Sequence, residues 1–133
     1  MISKDFREFV ALLNAAEVRY LVVGGYAVAI HGYPRYTKDL DIWIESSPLN
    51  ADRLLRALHQ FGFGTLDIDA DDFLQKDQII QLGYPPNRID LLTSLEGLSF
   101  DDCYRDKMTV SIENLEIDFI DLANLKKNKA ATG

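Results

Sequence analysis

The chain has 133 residues, 47% of them apolar, and carries 14 basic against 21 acidic side chains for a formal charge of −7. That length suits one hydrophobic core, so a single domain over residues 1–133 is expected, and the negative charge opposes non-specific binding to DNA or to an anionic membrane. No apolar run approaches the roughly 20 residues of a membrane span, and Met1-Ile2-Ser3-Lys4-Asp5 lacks the layout of a signal peptide, so a cytoplasmic protein is expected.

In chain order, Phe6, Phe9, Val10, Leu13 and Ala16 recur at spacings of three and four, which predicts a helix with one apolar stripe and Ser3 as its N-cap. Tyr20 to Val23 is a short apolar strand of the kind buried on both faces, broken by Gly24 and Gly25. Tyr26 to His31 predicts a short helix stopped by Gly32 and Pro34. Asp39 to Glu45 reads as a second strand. There Asp39 and Asp41 share one face with Trp43, while Leu40 and Ile42 enter the opposite layer. Ser47 and Pro48 open a helix whose buried face is Leu54, Leu55, Leu58 and Phe61, and Gly62 ends it.

Asp67, Asp69, Asp71 and Asp72 form an acidic loop ahead of a short helical turn at Phe73-Leu74. The glycine and terminal glutamate of a helix-loop-helix calcium site are missing there, so the loop reads as solvated surface. Gln78 to Gly83 and Arg88 to Leu92 are two strands joined by Tyr84-Pro85-Pro86-Asn87. Asp90 stands in the second of these among apolar residues. A buried carboxylate needs a cation or a donor, and Arg88, two residues away on the same face, is the structural alternative to a metal ion. Cys103 is the sole cysteine, so no internal disulfide forms, and Asp101, Asp102 and Asp106 disfavour its thiolate. Met108 to Ile112 and Leu115 to Ile120 predict a hairpin about Glu113-Asn114. Asp121 to Ala130 closes the chain as a helix that begins acidic and ends basic. Helices interleaved with at least five strands indicate a mixed α/β or α+β sheet domain.

Two carboxylates held side by side, as Asp39 and Asp41 are, repel each other, and a bound divalent cation resolves the repulsion; Mg²⁺ or Mn²⁺ suits such hard oxygen donors. The rival account pairs the acids with Arg35, Lys38 and Arg88. Gly24-Gly25 between strand and helix lets backbone N–H groups approach a phosphate, but it lacks the third glycine of a dinucleotide fingerprint and the Gly-Lys-Ser/Thr ending of a P-loop. His31 and His59 have no metal-ligand spacing and read as surface or boundary residues. Trp43 has two readings, base stacking and sheet packing, of which packing is preferred.

An apolar strand ending in Gly24-Gly25, thirteen intervening residues, Asp39-Leu40-Asp41-Ile42 and the later strand acid Asp90 together resemble the nucleotidyltransferase superfamily typified by DNA polymerase beta. More narrowly, Gly24-Gly25-Tyr26-Ala27 with Arg35-x-Thr37-x-Asp39-Leu40-Asp41-Ile42 looks like the small stand-alone nucleotidyltransferase-like proteins, some of which belong to toxin–antitoxin or abortive-infection systems. The resemblance implies a nucleotidyltransferase fold with a mixed sheet of about five strands. It also implies transfer of a nucleoside monophosphate from an NTP to a macromolecular acceptor, an RNA end or a protein hydroxyl, with release of pyrophosphate. Asp39 and Asp41 would ligate two Mg²⁺ (or Mn²⁺) ions, and Asp90 would ligate the catalytic one and orient or deprotonate the acceptor hydroxyl. Two such ions would stabilise the attacking and leaving oxygens of an in-line displacement. Gly24 and Gly25 would cradle the distal phosphates, with Arg35 or Lys38 neutralising them and Tyr26 near the nucleotide; Thr37 would donate a hydroxyl hydrogen bond or cap the turn, of which the structural role is preferred.

The alternative is a catalytically weak nucleotide-binding regulatory partner of a toxin–antitoxin-type pair. A chain this short implies that the acceptor, a partner protein or a self-dimer completes the site. The sequence departs from the family pattern at Gly25, where many members carry serine, and it ends at Gly133, where similar proteins continue into a further helix.

Overall fold

The computed structural model describes residues 2–33, 38–63, 67–83 and 88–132. Its elements run α1 (Lys4–Ala15), β1 (Tyr20–Val23), α2 (Gly24–Ile30), β2 (Leu40–Ile44), α3 (Pro48–Leu58), β3 (Ile79–Leu82), β4 (Ile89–Leu92), α4 (Phe100–Arg105), β5 (Met108–Ile112), β6 (Leu115–Phe119) and α5 (Leu122–Thr132). The six strands form one mixed sheet in the order β3-β4-β2-β1-β6-β5. β2 runs parallel to β4 and β1 parallel to β6, and the remaining neighbours are antiparallel.

Strand pairing decides which side chains share a face. Tyr20 is level with Ile44 and Val22 with Ile42, and these residues project toward α1, where the Tyr20 hydroxyl bonds Asn14 Oδ1 at 2.9 Å. Phe6, Phe9, Val10 and Leu13, the predicted stripe, are all buried in this layer. Ser3 caps α1 by accepting from the Phe6 N–H at 3.2 Å, and Ser47 caps α3 by accepting from Asn50 N–H at 3.2 Å. Leu54 and Leu58 pack inward from α3. Past Leu58 the segment His59–Phe63 kinks at Gly62, whose φ of +103° is not helical and is open to glycine, so the helix is broken there. This segment sets Phe61 edge-on against Phe9 at 5.2 Å.

On the opposite face Trp43 is 2% exposed and meets the ring of Phe100 in α4 edge-to-face at 5.2 Å. Packing is therefore the use made of Trp43. The helix α4 carries no long apolar stripe and was not anticipated; its local signals are Ser99, which accepts from Asp102 N–H at 3.5 Å, and the buried Cys103. Burial, and then the charges of Asp121, Asp102 and Asp106, push the Cys103 thiol up to about 11, so it is no nucleophile. Glu113 and Asn114 both take positive φ, 51° and 68°, as a two-residue hairpin turn matched to strand twist requires. The acidic loop contributes a short 3-10 turn over Ala70–Phe73 that buries Phe73.

Asn50, 2% exposed, fastens α3 to the sheet. Its Oδ1 accepts from Arg19 N–H at 2.7 Å, and its Nδ2 donates to Arg19 O at 3.0 Å and to Glu45 O at 2.8 Å. One side chain thus satisfies backbone groups at the start of β1 and the end of β2. No helix among the described residues is long and apolar enough to cross a membrane.

Candidate active site

Parallel pairing sets Asp41 of β2 level with Asp90 of β4, and antiparallel pairing sets Val23 of β1 level with Asp41. Residues opposite one another on adjacent strands project to the same side. Asp41 and Asp90 therefore stand next to each other on the Trp43 face, and Asp39, two residues earlier, joins them just ahead of β2. Asp90 is 8% exposed, and Asp39 and Asp41 are half-buried.

The chemistry of this cluster differs at each carboxylate. At Asp41, burial first, then the negative charges of Asp90 and Asp39 and a hydrogen bond shared with Asp90, push the carboxyl up to about 6, against a smaller opposing pull from Arg88. Asp39 and Asp90 instead hold the guanidinium of Arg88. Arg88 Nη2 donates to Asp39 Oδ2 at 2.7 Å and to Asp90 Oδ2 at 3.2 Å. Arg88 Nε also lies 3.0 Å from Asp90 Oδ1, yet both atoms are without an aligned hydrogen bond. That second contact is a charge contact rather than a directed bond. Asp90 first, then Asp39 and Asp41, raise the Arg88 pKa further.

Gly24 closes the cluster from above. It opens α2 with φ +66°, and a Cβ there would overlap the Asp41 carboxylate, lying 3.0 Å from Cγ and 3.1 Å from Cβ of Asp41. The glycine thus serves both a left-handed backbone and a close approach. Val23, the N-cap of α2, makes no side-chain cap hydrogen bond to that helix.

Among the other predicted site residues, Gly25 follows Gly24 in α2, and Tyr26 sets its ring edge-on to Phe6 at 5.8 Å. Lys38 is exposed beside Asp39. Arg35 and Thr37 lie outside the described residues. His31 Nε2 sits 2.8 Å from the Ile120 carbonyl oxygen, in the packing between α2 and β6, and His59 is exposed. The sequence named Arg88 among the cations that could pair the acids but gave it a definite partner only in Asp90; its link to Asp39 follows the pairing in which Leu40 N–H donates to Arg88 O at 3.1 Å across two strands.

Among the described residues, no group of three or more His, Cys, Asp or Glu stands arranged as a metal cage. The donors nonetheless fit a hard divalent ion in kind. They are carboxylate oxygens only, and burial together with the neighbouring charges of Asp90 and Asp39 raises the Asp41 carboxyl, the crowding of hard oxygen donors that a divalent cation relieves. Further along the same face a cavity of about 420 Å³ is lined by Trp43, Glu45, Ser47, Ser94, Ser99 and Phe100 among others.

A mixed sheet with a strand, a glycine turn and a helix beside two acid-bearing strands defines a protein of the nucleotidyltransferase class. Among solved structures, a Thermotoga maritima protein assigned as a nucleotidyltransferase superposes with a TM-score of 0.72 over 100% of this chain and 88% of its own, at 15% identity. The sequence model of the aminoglycoside-2''-adenylyltransferase family matches residues 5–93. The chain belongs to that family, and the matched residues contain every candidate site position. No curated protein matches the sequence.

Proposed function

We propose that the chain transfers a nucleoside monophosphate from an NTP to an acceptor hydroxyl, with release of pyrophosphate, at the cluster of Asp39, Asp41 and Asp90. The observation that carries this reading is the Gly24–Asp41 contact. The glycine turn that would receive phosphates is packed directly on the carboxylate that would hold the metal.

In this reading Asp39, Asp41 and Asp90 hold Mg²⁺ or Mn²⁺, which supplies charge neutralisation at the triphosphate. Gly24 and Gly25 leave the phosphates free access to backbone N–H groups, and Arg35 and Lys38 add positive charge. Asp90, the most buried of the three acids, orients the acceptor hydroxyl and draws its proton.

For the acceptor, the family's name suggests adenylyl transfer to an aminoglycoside, a small polyol bearing ammonium groups. A net charge of −7 suits such a cation better than an RNA strand. The cavity beyond Trp43, with Glu45 and several hydroxyls in its lining, suits it as well. An RNA end or a protein hydroxyl, reached with a partner protein or in a self-dimer, is the macromolecular version. A second reading, a nucleotide-binding regulator of a toxin–antitoxin-type pair with little turnover, draws on Arg88, which already balances two of the three acids.

The test is incubation with each α-labelled NTP and Mg²⁺ or Mn²⁺, with an aminoglycoside, RNA or cell protein as acceptor, beside Asp41→Asn. Label in an acceptor, lost in the variant, supports transfer and identifies base and acceptor. NTP binding without transfer supports the regulatory reading, and no binding of NTP or metal removes both.

A further inference from the structure

We propose that Arg88 is a built-in counter-cation that occupies the seat between Asp39 and Asp90 when no metal is bound, and that it must leave that seat for metal to enter. The inference rests on the metal-binding reading of the acid cluster and specifies what the ion has to displace.

One nitrogen carries the argument. Arg88 Nη2 is within hydrogen-bonding distance of carboxylate oxygens from both strands, 2.7 Å from Asp39 Oδ2 and 3.2 Å from Asp90 Oδ2. An ion bound to both carboxylates would need the space that this nitrogen holds. The fit is also incomplete. Nε and Asp90 Oδ1 are buried 3.0 Å apart without a directed hydrogen bond, whereas a guanidinium matched to a carboxylate makes two aligned ones. An arginine serving only to bind Asp90 has no need to divide itself with Asp39. The link to Asp39 is what makes it a bridge across the parallel pair.

Asp41 stands outside this arrangement, with neither salt bridge nor hydrogen bond to Arg88 among the contacts formed. The guanidinium neutralises Asp39 and Asp90 and leaves Asp41, which shares a hydrogen bond with Asp90, without a directed contact of its own to that cation. The side chain of Arg88 is 29% exposed, so it can swing outward without unpacking the core. By linkage, whatever free energy the guanidinium contributes to the metal-free protein is subtracted from metal affinity, and the repulsion between two cations adds to that subtraction.

The experiment is Mn²⁺ titration by calorimetry and by electron paramagnetic resonance on the wild type, Arg88→Ala, Arg88→Lys and Asp41→Asn, with melting temperatures taken in EDTA and in Mn²⁺. Arg88→Ala is expected to bind Mn²⁺ roughly ten- to thirtyfold more tightly than the wild type, as follows from removing a charge-assisted pair. It should also melt lower in EDTA and gain more from Mn²⁺. Arg88→Lys, which keeps the charge but cannot bridge, should fall between. It also serves as the readable variant if the alanine protein does not fold. Equal or weaker Mn²⁺ binding by the Arg88 variants, with the wild type binding and Asp41→Asn not, would overturn the proposal and leave the metal site standing. Failure of the wild type to bind Mn²⁺ while Arg88→Ala also fails would remove the metal site itself.

Discussion

Replacing Asp41 by Asn should make the protein more stable while it destroys its activity. The carboxyl of Asp41 is pushed from 3.8 to about 6 by burial and by Asp90 and Asp39. A carboxyl whose folded pKa lies above its unfolded one binds more protons in the native state between those two values. Stability therefore falls as pH rises through that window and stays lower above it. Taken at face value the shift corresponds to about 3 kcal/mol, and screening of a half-buried group leaves roughly 1–2 kcal/mol. The amide carries no charge at any pH, so Asp41→Asn should gain about that much at pH 8 in EDTA, or about 4–8 °C in melting temperature for a chain of this size. Below pH 4 the gain should vanish, since both states of the wild type are then protonated. Denaturant melts at pH 4, 6 and 8 measure it. A loss of stability at pH 8 of 1 kcal/mol or more would refute the electrostatic account of the cluster, because it would mean that the charged carboxylate is already compensated in the metal-free protein.

Gly24→Ala should cost about 2–4 kcal/mol through its positive φ and its overlap with Asp41. In a double-mutant cycle with Asp41→Ala the overlap part should disappear, which chemical denaturation will show as non-additivity. Asn50→Ala should lose about 1–3 kcal/mol, since it removes the side-chain partner of the Arg19 N–H and of Glu45 O, while Arg19 O keeps its bond from Glu45 N–H; urea melts measure this. Trp43→Phe should stay within about 1 kcal/mol of the wild type, because the lost volume is offset by removing an indole N–H that has no partner. Trp43→Ala should cost about 3–5 kcal/mol by the same measurement.

The two helices of the α1/α3 layer, the buried strand β1 and the β5–β6 hairpin were all legible because each is encoded locally. Phe6, Phe9, Val10 and Leu13 repeat at helical spacing, Ser3 and Ser47 cap, and Glu113-Asn114 suits a tight turn. The placement of Asp39 and Asp41 on one face was legible for the same reason, since alternation along a strand is a property of the backbone. What lay beyond the sequence were relations between segments far apart in the chain.

That β2 pairs in parallel with β4, setting Asp41 beside Asp90, depends on how the whole sheet is ordered, and no local pattern specifies strand order. The choice between a metal ion and Arg88 as partner for Asp90 was open in the sequence, because spacing alone gives Arg88 only Asp90 to reach. Tertiary structure extends that arginine to Asp39. It also lowers Gly24 onto Asp41, turning two separate motifs into one contact, and folds Ser99 to Arg105 into a helix that covers Trp43. The sequence by itself determined the elements other than α4 and the residue types that carry charge, because those follow from backbone periodicity and side-chain chemistry. Only the tertiary structure decided which charges meet, because that is set by packing the sheet as a whole.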